Sequence, residues 1–159
     1  MQILRLTTPH RELAQRAFVM MSEVFGETAE PPGTDHLDVV LGRTDFWALA
    51  AVADGEPVGA LTAHALPMTR AAAWELFIYD LAVRPDWQRR GVGRALLEHL
   101  ITAADPATTT SIFVPADDED THALDFYRAV GGTAEAVTIF SFLPGRSELP
   151  GPTGRPATS

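Results

Sequence analysis

The middle of the chain carries a strand-like run that leads into two closely spaced glycines and an amphipathic helix. Residues 75–83 (ELFIYDLAV) are mostly apolar and predict a strand that ends before Arg84-Pro85. Residues 88–104 (QRRGVGRALLEHLITAA) predict a helix, and Gly91 and Gly93 fall where it begins. The helix is amphipathic because five apolar residues recur on one face: Val92, Leu96, Leu97, Leu100 and Ile101.

The start of this helix is a predicted binding site for an anionic phosphate group. The first N–H groups of a helix have no intrahelical acceptor, and glycines let the backbone approach a ligand closely. Gln88, Arg89, Arg90 and Arg94 add donors and positive charge to a chain whose formal net charge is −9. The Gly-Lys-Ser/Thr run of a Walker loop is missing, and the three spaced glycines of a dinucleotide fingerprint are not present.

The rest of the chain predicts a mixed α/β fold. Further helices are expected after Thr8-Pro9, with Thr8 as the N-cap, over residues 35–42 and over residues 121–130. Further strands are expected at residues 2–6, 46–53, 57–64, 111–115 and 137–142, with a tight hairpin at Asp54-Gly55. We expect one domain over residues 1–143. Residues 144–159 are rich in Pro, Gly, Ser and Thr and predict a flexible tail.

The composition excludes several classes of function. The chain has no cysteine, which excludes disulfides, thiolate metal sites and a cysteine nucleophile. Its acidity opposes binding to nucleic acid. No signal peptide pattern and no run of eighteen apolar residues occurs, so we expect no membrane association and a cytoplasmic location. No metal is proposed, because four histidines show no ligand spacing with carboxylates: His36, His64, His99 and His122.

Residues 88–93 (QRRGVG) fit the pattern Gln/Arg-x-x-Gly-x-Gly/Ala, which resembles the pyrophosphate-binding motif of the GNAT superfamily of N-acetyltransferases. A longer segment, residues 75–132, resembles the class I aminoglycoside 3-N-acetyltransferases through IYDLAV, FVPAD and the helix ending LDFYRAVG. The resemblance implies a central, mostly antiparallel sheet flanked by helices, with splayed strands 4 and 5. It also implies acetyl-CoA as cofactor and, as substrate, a small cationic amine: an aminoglycoside acetylated at its 3-N position, as in antibiotic resistance.

The same resemblance assigns the contacts with coenzyme A. The backbone of residues 81–83 would pair with the pantetheine arm and the acetyl carbonyl, so that fixed N–H donors stabilise the developing oxyanion. The implied cofactor-binding residues are Leu81, Ala82, Val83, Gln88, Arg89, Arg90, Gly91, Val92, Gly93, Arg94, Ala95, Phe126 and Tyr127.

Two residues are candidates for catalysis. By the resemblance, Tyr127 protonates the leaving thiolate, for which a phenol of pKa about 10 is suited; the alternative is a core aromatic side chain. Asp80 is costly to bury unpaired, so it either orients the acceptor amine and takes its proton, directly or through water, or pairs with an arginine. Strand alternation predicts Asp80 on the face opposite Tyr79, Leu81 and Val83.

An acidic rim is the predicted acceptor site, because it would attract a polycation. The rim consists of Glu75, Asp117, Asp118, Glu119 and Asp120. The predicted substrate-binding residues are Glu75, Asp80, Asp117, Asp118 and Asp120. The alternative is a solvated loop in which Asp120 or Thr121 caps the next helix. Other acceptors stay open, namely a polyamine, a peptide N-terminus or a lysine, as does a non-catalytic acyl-CoA-binding module. A homodimer is an expectation that rests on analogy with the fold alone.

Overall fold

The computed structural model describes residues 1–28, 30–142 and 144–145, so almost all of the predicted flexible tail lies outside the described residues. The strands are β1 (Gln2–Arg5), β2 (Phe46–Ala53), β3 (Glu56–Pro67), β4 (Trp74–Val83) and β5 (Thr109–Phe113). The helices are α1 (Arg11–Phe25), α2 (Thr34–Leu41), α3 (Val92–Ala103) and α4 (Thr121–Ala129). Short 3-10 turns at Thr8–His10 and Pro85–Trp87 precede α1 and α3.

The strands form one sheet in the order β1-β2-β3-β4-β5. The first four are antiparallel, and β5 runs parallel to β4. Asp54 and Gly55 link β2 and β3 with φ angles of 52° and 82°, the left-handed conformation that the predicted hairpin needs. The mixed sheet and its flanking helices confirm the predicted α/β class.

The two faces of the sheet bury two separate apolar clusters. Helices α1 and α2 cover one face, where alanines of the sheet let the helices approach closely, and α3 covers the other. The first cluster includes Ala14, Ala17, Leu37, Ala50, Ala60 and Ala82, and the second includes Leu49, Leu61, Leu76, Ile78, Leu96 and Leu100.

Gly59 of β3 seats the start of α3 directly on the sheet. A Cβ atom at this position would lie 2.7 Å from Val92 Cγ1 and 3.3 Å from Leu96 Cδ1, so a side chain does not fit without a shift of α3. This close approach fixes the turn before α3 relative to the end of β4.

Two predicted boundaries change in the structure. The cap before α1 is Thr7 rather than Thr8, because Thr7 and His10 form a reciprocal capping box around the first turn. Helix α3 starts at Val92, which leaves residues 88–91 as a turn.

No helix in the described part of the chain is long and apolar enough to cross a membrane.

The predicted closing strand at residues 137–142 is wrong for the chain on its own. Val137, Ile139, Phe140 and Phe142 are 75, 70, 77 and 79% exposed, and the segment pairs with no strand of the described residues. High local β-propensity does not make a strand where no neighbouring strand supplies hydrogen-bond partners.

Candidate functional site

Strand β4 continues beyond the end of its neighbour β5. The parallel pairing ends at Phe77 opposite Phe113, whereas β4 stays paired with β3 up to Val83 opposite Gly59. Residues 78–83 therefore have a sheet neighbour on one side only within the described part of the chain. Beyond Phe77 the backbone of β4 is open on the side of β5, as the splayed arrangement predicts, and this open side is called the gap below.

The hydrogen-bond pattern identifies the backbone groups that face this gap. Arg84 donates its N–H to the Val58 carbonyl at 3.0 Å, so its N–H points toward β3. Backbone groups of a strand alternate in direction from one residue to the next. Those of Ala82 therefore also point toward β3, and those of Leu81 and Val83 point into the gap. The Gln88 side chain donates to the Val83 carbonyl at 3.1 Å, which agrees with this assignment.

The turn at residues 88–91 joins the end of β4 to the N-terminus of α3. Arg89 and Gly91 both have left-handed φ angles, 60° and 80°, and Gly91 is the N-cap of α3. Such a turn directs successive backbone N–H groups toward one side, where they add to the free N–H groups of the helix start. This arrangement can bind an anion beside the gap.

The predicted basic side chains around this turn have different surroundings. The guanidinium of Arg94 donates to the Ala129 carbonyl at 2.8 Å and lies 3.5 Å from Glu98, so it links α3 to the end of α4. Arg89 and Arg90 are exposed, and Arg90 lies over the Trp87 ring at 5.3 Å. The guanidinium groups of Arg89 and Arg90 are thus open to solvent, whereas that of Arg94 is engaged by Ala129 and Glu98.

Gly93 lets α4 pack against the beginning of α3. A Cβ atom here would lie 3.2 Å from two ring atoms of Phe126 and 3.5 Å from Leu81 Cδ2. The Phe126 ring contacts the Tyr127 ring at a centroid distance of 5.1 Å. This packing links three parts of the site: the turn before α3, Leu81 beside the gap, and the predicted acid Tyr127. In the first turns of α3, Val92 is buried and Ala95 is partly buried.

A β-bulge in β4 changes the predicted direction of Tyr79. Thr62 pairs with Asp80 and Ala63 with Ile78, so Tyr79 is the extra residue. The Asp80 carboxylate lies 3.5 Å from the Thr62 hydroxyl, and the Tyr79 ring lies 5.8 Å from the His64 ring. Because Thr62 and His64 share one face of β3, Tyr79 and Asp80 share that face too. The prediction that they lie on opposite faces is wrong, since alternation fails at a bulge.

Burial and neighbouring charges raise the pKa values of both Asp80 and Tyr127. Burial raises the pKa of Asp80, nearby Glu27 raises it further, and Thr62 and His64 oppose the rise. Burial also raises the pKa of Tyr127, and the charges of Asp120 and Asp80 add to that rise. Asp80 forms no ion pair with an arginine among the described residues, so that alternative is not observed there.

A row of aromatic rings crosses the sheet on the Asp80 face. Neighbouring ring centroids are 5.2 to 5.8 Å apart along the series Phe46, His64, Tyr79, Phe77 and Phe113. Tyr79 is 63% exposed, so the row has an open surface beside Asp80. Flat rings next to a carboxylate suit a ligand that carries both apolar ring faces and ammonium groups.

The predicted acidic rim divides into three parts. Asp117 and Asp120 organise their own loop: the Asp117 carboxylate accepts from the Glu119 N–H at 2.9 Å, and Asp120 caps α4 through the Ala123 N–H at 3.0 Å. Asp118 and Glu119 are exposed, and Glu75 lies near the start of β4, five residues before Asp80. The charge of Asp120 contributes to the raised pKa of Tyr127.

Several residues of the site were not predicted from the sequence. Glu27 follows the end of α1, and Thr62 and His64 come from β3, so only the folded sheet brings them to Asp80. The polar Thr62 within an apolar strand is the one local signal, because it is 6% exposed and buried hydroxyls need a partner. Within the described residues no group of three metal-ligating side chains is found.

Known proteins share this architecture. An aminoglycoside acetyltransferase from an uncultured soil metagenomic sample, in complex with sisomicin, superposes with a TM-score of 0.84 at 29% identity, covering 89% of this chain and 94% of that one. A second aminoglycoside acetyltransferase from an uncultured soil metagenomic sample reaches 0.83 at 31% identity, covering 89% and 97%.

A curated relative gives a shorter match. The [ribosomal protein bS18]-alanine N-acetyltransferase of Escherichia coli (strain K12) is 33% identical over 67 residues, 42% of this chain and 45% of that protein. The match thus spans less than half the length of the relative.

The family assignment rests on most of the chain. The model of the acetyltransferase (GNAT) family matches residues 11–131, from the start of α1 to the glycine after α4. Members of this family use acetyl-CoA as the acetyl donor. Its fold is the one described above, with parallel β4 and β5 parted along half of β4. The chain therefore belongs to the acetyltransferase (GNAT) family.

Proposed function

We propose that this acetyltransferase acetylates an amino group of an aminoglycoside, at the 3-N position. The observation that carries the proposal is the partly buried Asp80, which shares one face of the sheet with the open aromatic row and whose charge contributes to the raised pKa of Tyr127. Aminoglycosides are polycationic amino sugars, so a carboxylate next to exposed rings complements them. The two soil acetyltransferases support this acceptor class, since the match covers nearly all of each.

The residues present fit acetyl-CoA. The N–H and C=O groups of Leu81 and the N–H group of Val83 face the gap and match the amides of the pantetheine arm, whereas the Val83 carbonyl already accepts from the Gln88 side chain at 3.1 Å. The left-handed turn at residues 88–91 and the first N–H groups of α3 match the pyrophosphate, with Arg89 and Arg90 beside them. At Gly91 a Cβ atom would meet nothing within 4 Å, so glycine is present for its φ angle rather than for space inside the protein.

Each residue of the site has a defined part in the reaction. Acetyl-CoA supplies an acetyl group activated as a thioester. Asp80 orients the acceptor amine and takes up its proton, directly or through water. The N–H groups that face the gap stabilise negative charge on the carbonyl oxygen without reorganising. Tyr127 donates its phenolic proton to the departing sulfur. An acetyl-cysteine route is excluded because the chain has no cysteine.

The raised pKa values of the two groups suit these parts. A raised pKa keeps the Tyr127 phenol protonated well above neutral pH, so the proton is available for the thiolate. A raised pKa makes Asp80 a stronger base than an ordinary carboxylate. Both pKa values rise, and burial is the largest cause of the rise in each.

A second candidate acceptor is the N-terminal alanine of a ribosomal protein. The match with the bS18-alanine N-acetyltransferase supports it. We favour the amino sugar, because that match spans less than half of either protein, whereas the soil acetyltransferases match over almost their whole length.

A thiol-release assay with acetyl-CoA separates these acceptors. The panel contains sisomicin, gentamicin, fortimicin, kanamycin, spermidine and a peptide that begins with alanine. We expect fast release with sisomicin, gentamicin and fortimicin, and NMR of the products should place the acetyl group on the 3-amino group. Release with the peptide or spermidine alone would contradict the proposed acceptor and leave the family assignment intact.

Replacement of the acid should slow turnover without weakening cofactor binding. We expect Tyr127→Phe to lower kcat by about 100-fold or more, since general acid catalysis contributes that much. The Kd for coenzyme A, measured by calorimetry, should stay within a factor of about two. The chain has two tyrosines, so Tyr79→Phe is the matched control and should retain kcat. Full turnover by Tyr127→Phe would remove the phenol from the mechanism.

Replacement of the proposed base, Asp80, should raise the free energy of unfolding and lower the activity. Because the pKa of Asp80 is higher in the folded state, the folded wild type loses stability as pH rises through that pKa. Asp80→Asn should therefore unfold at a higher urea concentration than wild type at pH 7. Below the unfolded pKa of about 3.9, the two proteins should unfold at the same urea concentration. The kcat/KM of Asp80→Asn should be lower than that of wild type.

The control is Asp45→Asn, because the pKa of Asp45 is shifted in the opposite direction from that of Asp80. Hydrogen bonding to Arg43 lowers the pKa of Asp45, so Asp45→Asn should be no more stable than wild type at pH 7. An Asp80→Asn protein that is less stable than wild type at pH 7 would show that the carboxylate is a structural group rather than a strained functional one.

A further inference from the structure

Glu75 lies on the same face of the sheet as Asp80, and the aromatic row lies between them along β4. Glu75 pairs with Leu66 of β3, and directly paired residues of antiparallel strands point to the same face. Leu66 follows His64 by two positions, so these two side chains also share a face. His64 belongs to the face that carries Asp80, and Glu75 therefore belongs to it as well.

The register between β3 and β4 fixes the separation of the two carboxylates. Asp80 pairs with Thr62 and Glu75 pairs with Leu66, which lies four residues further along β3. At a rise of about 3.3 Å per residue, the two acids are attached to the sheet about 13 Å apart. An ion pair requires a separation of about 4 Å or less, so one ammonium group cannot pair with both carboxylates.

The surface between the two carboxylates is aromatic and open to solvent. Tyr79 is 63% exposed next to Asp80, and Phe113 is 41% exposed at the β5 end of the row. Leu66 is 40% exposed and extends the apolar surface beside Glu75. Flat rings offer a large contact area to the apolar face of a sugar ring. A ligand of several linked rings can therefore lie on this surface with one end at each carboxylate.

The Glu75 carboxylate is available to a cationic ligand. Among the described residues it takes part in no ion pair, whereas several aspartates elsewhere are already paired with arginines. Its side chain is partly exposed, and its partners on the two neighbouring strands are the uncharged Leu66 and Ser111. No cation of the described protein competes with a ligand for this charge.

The backbone of Glu75 is also held more firmly than that of the acids at residues 117–120. Strand β4 is paired on both sides at Glu75, so its position relative to Asp80 is set by the sheet. Asp117 and Asp120 lie in a loop, and their carboxylates already accept backbone N–H groups of that loop. A site that discriminates between ligands of different length needs charges on rigid elements.

We propose that Glu75 binds a second ammonium group of the acceptor, on a different sugar ring from the amine that Asp80 orients. The proposal rests on the acceptor class proposed above and adds a length requirement to it. The amino groups of a single six-membered ring are too close together to reach both carboxylates, whereas those of two or three linked rings can. Glu75 is thus a specificity-determining residue that favours long polyamine acceptors over a single diamino ring.

The Michaelis constants of a long and a short acceptor test the proposal. Glu75→Gln removes the charge but keeps the shape of the side chain, so it should raise the KM for sisomicin by about fivefold or more with kcat unchanged. For 2-deoxystreptamine, the isolated diamino ring, the KM or the Ki against sisomicin should stay nearly the same as in wild type. Glu12→Gln is the matched control, because Glu12 is exposed in the first turn of α1 and its variant should behave as wild type.

The possible failures are distinguishable. An unchanged KM for sisomicin in Glu75→Gln, or an equal rise for both acceptors, would overturn the role of Glu75 and leave the acceptor class intact. A fall in kcat together with a lower urea midpoint would show a structural role and would also overturn it. A wild type that acetylates no amino sugar would overturn the acceptor class and this proposal together.

Discussion

The separation of β4 from β5 leaves backbone hydrogen-bonding groups of β4 without a sheet partner, and the rest of the site is built around those groups. Buried N–H and C=O groups need partners, so a strand that loses its neighbour halfway requires either solvent or a ligand on that side. The amides of a pantetheine arm are such partners. The turn at residues 88–91 and the start of α3 extend the same backbone surface to a phosphate group.

Small residues make this arrangement possible. Gly59 allows α3 to lie on β3, and Gly93 allows Phe126 of α4 to lie on α3. Both contacts fix the end of β4 relative to the turn that follows it. Tyr127 is carried into position by the packing of its neighbour Phe126 rather than by a contact of its own that the sequence specifies. The proposed acid is thus placed by the same packing that shapes the proposed cofactor site.

The bulge at Tyr79 determines which side chains line the proposed acceptor side of the sheet. It brings the Tyr79 ring and the Asp80 carboxylate to one face, where aromatic rings from four strands line up beside a partly buried charge. Holding a carboxylate there costs stability, as the raised pKa of Asp80 indicates. Functional sites commonly retain such costs, because a better-solvated carboxylate would be a weaker base.

Much of the fold was predictable, because it rests on local signals. The apolar run of β4, the glycines before α3, the Asp54-Gly55 turn and the periodicity of α1 and α3 each act over a few residues. The position of Tyr79 was not predictable, since a bulge depends on the register between two strands. Glu27 and His64 were missed for the same reason: the tertiary fold brings them to Asp80.

Residues 137–142 show where local preference stops deciding structure. They have the composition of a strand, and the sequence predicts one, yet a strand forms only where another strand offers its edge. Within the described residues no strand pairs with this segment.

Amide hydrogen exchange at the end of β4, read residue by residue by NMR, tests the central claim most directly. The amides of Leu81 and Val83 face the gap, and that of Ala82 is bonded toward β3. On addition of acetyl-CoA, exchange at Leu81 and Val83 should slow by about tenfold or more, while Ala82 is already protected and changes little. Unchanged exchange at Leu81 and Val83 with saturating acetyl-CoA would show that the cofactor does not bind in the gap.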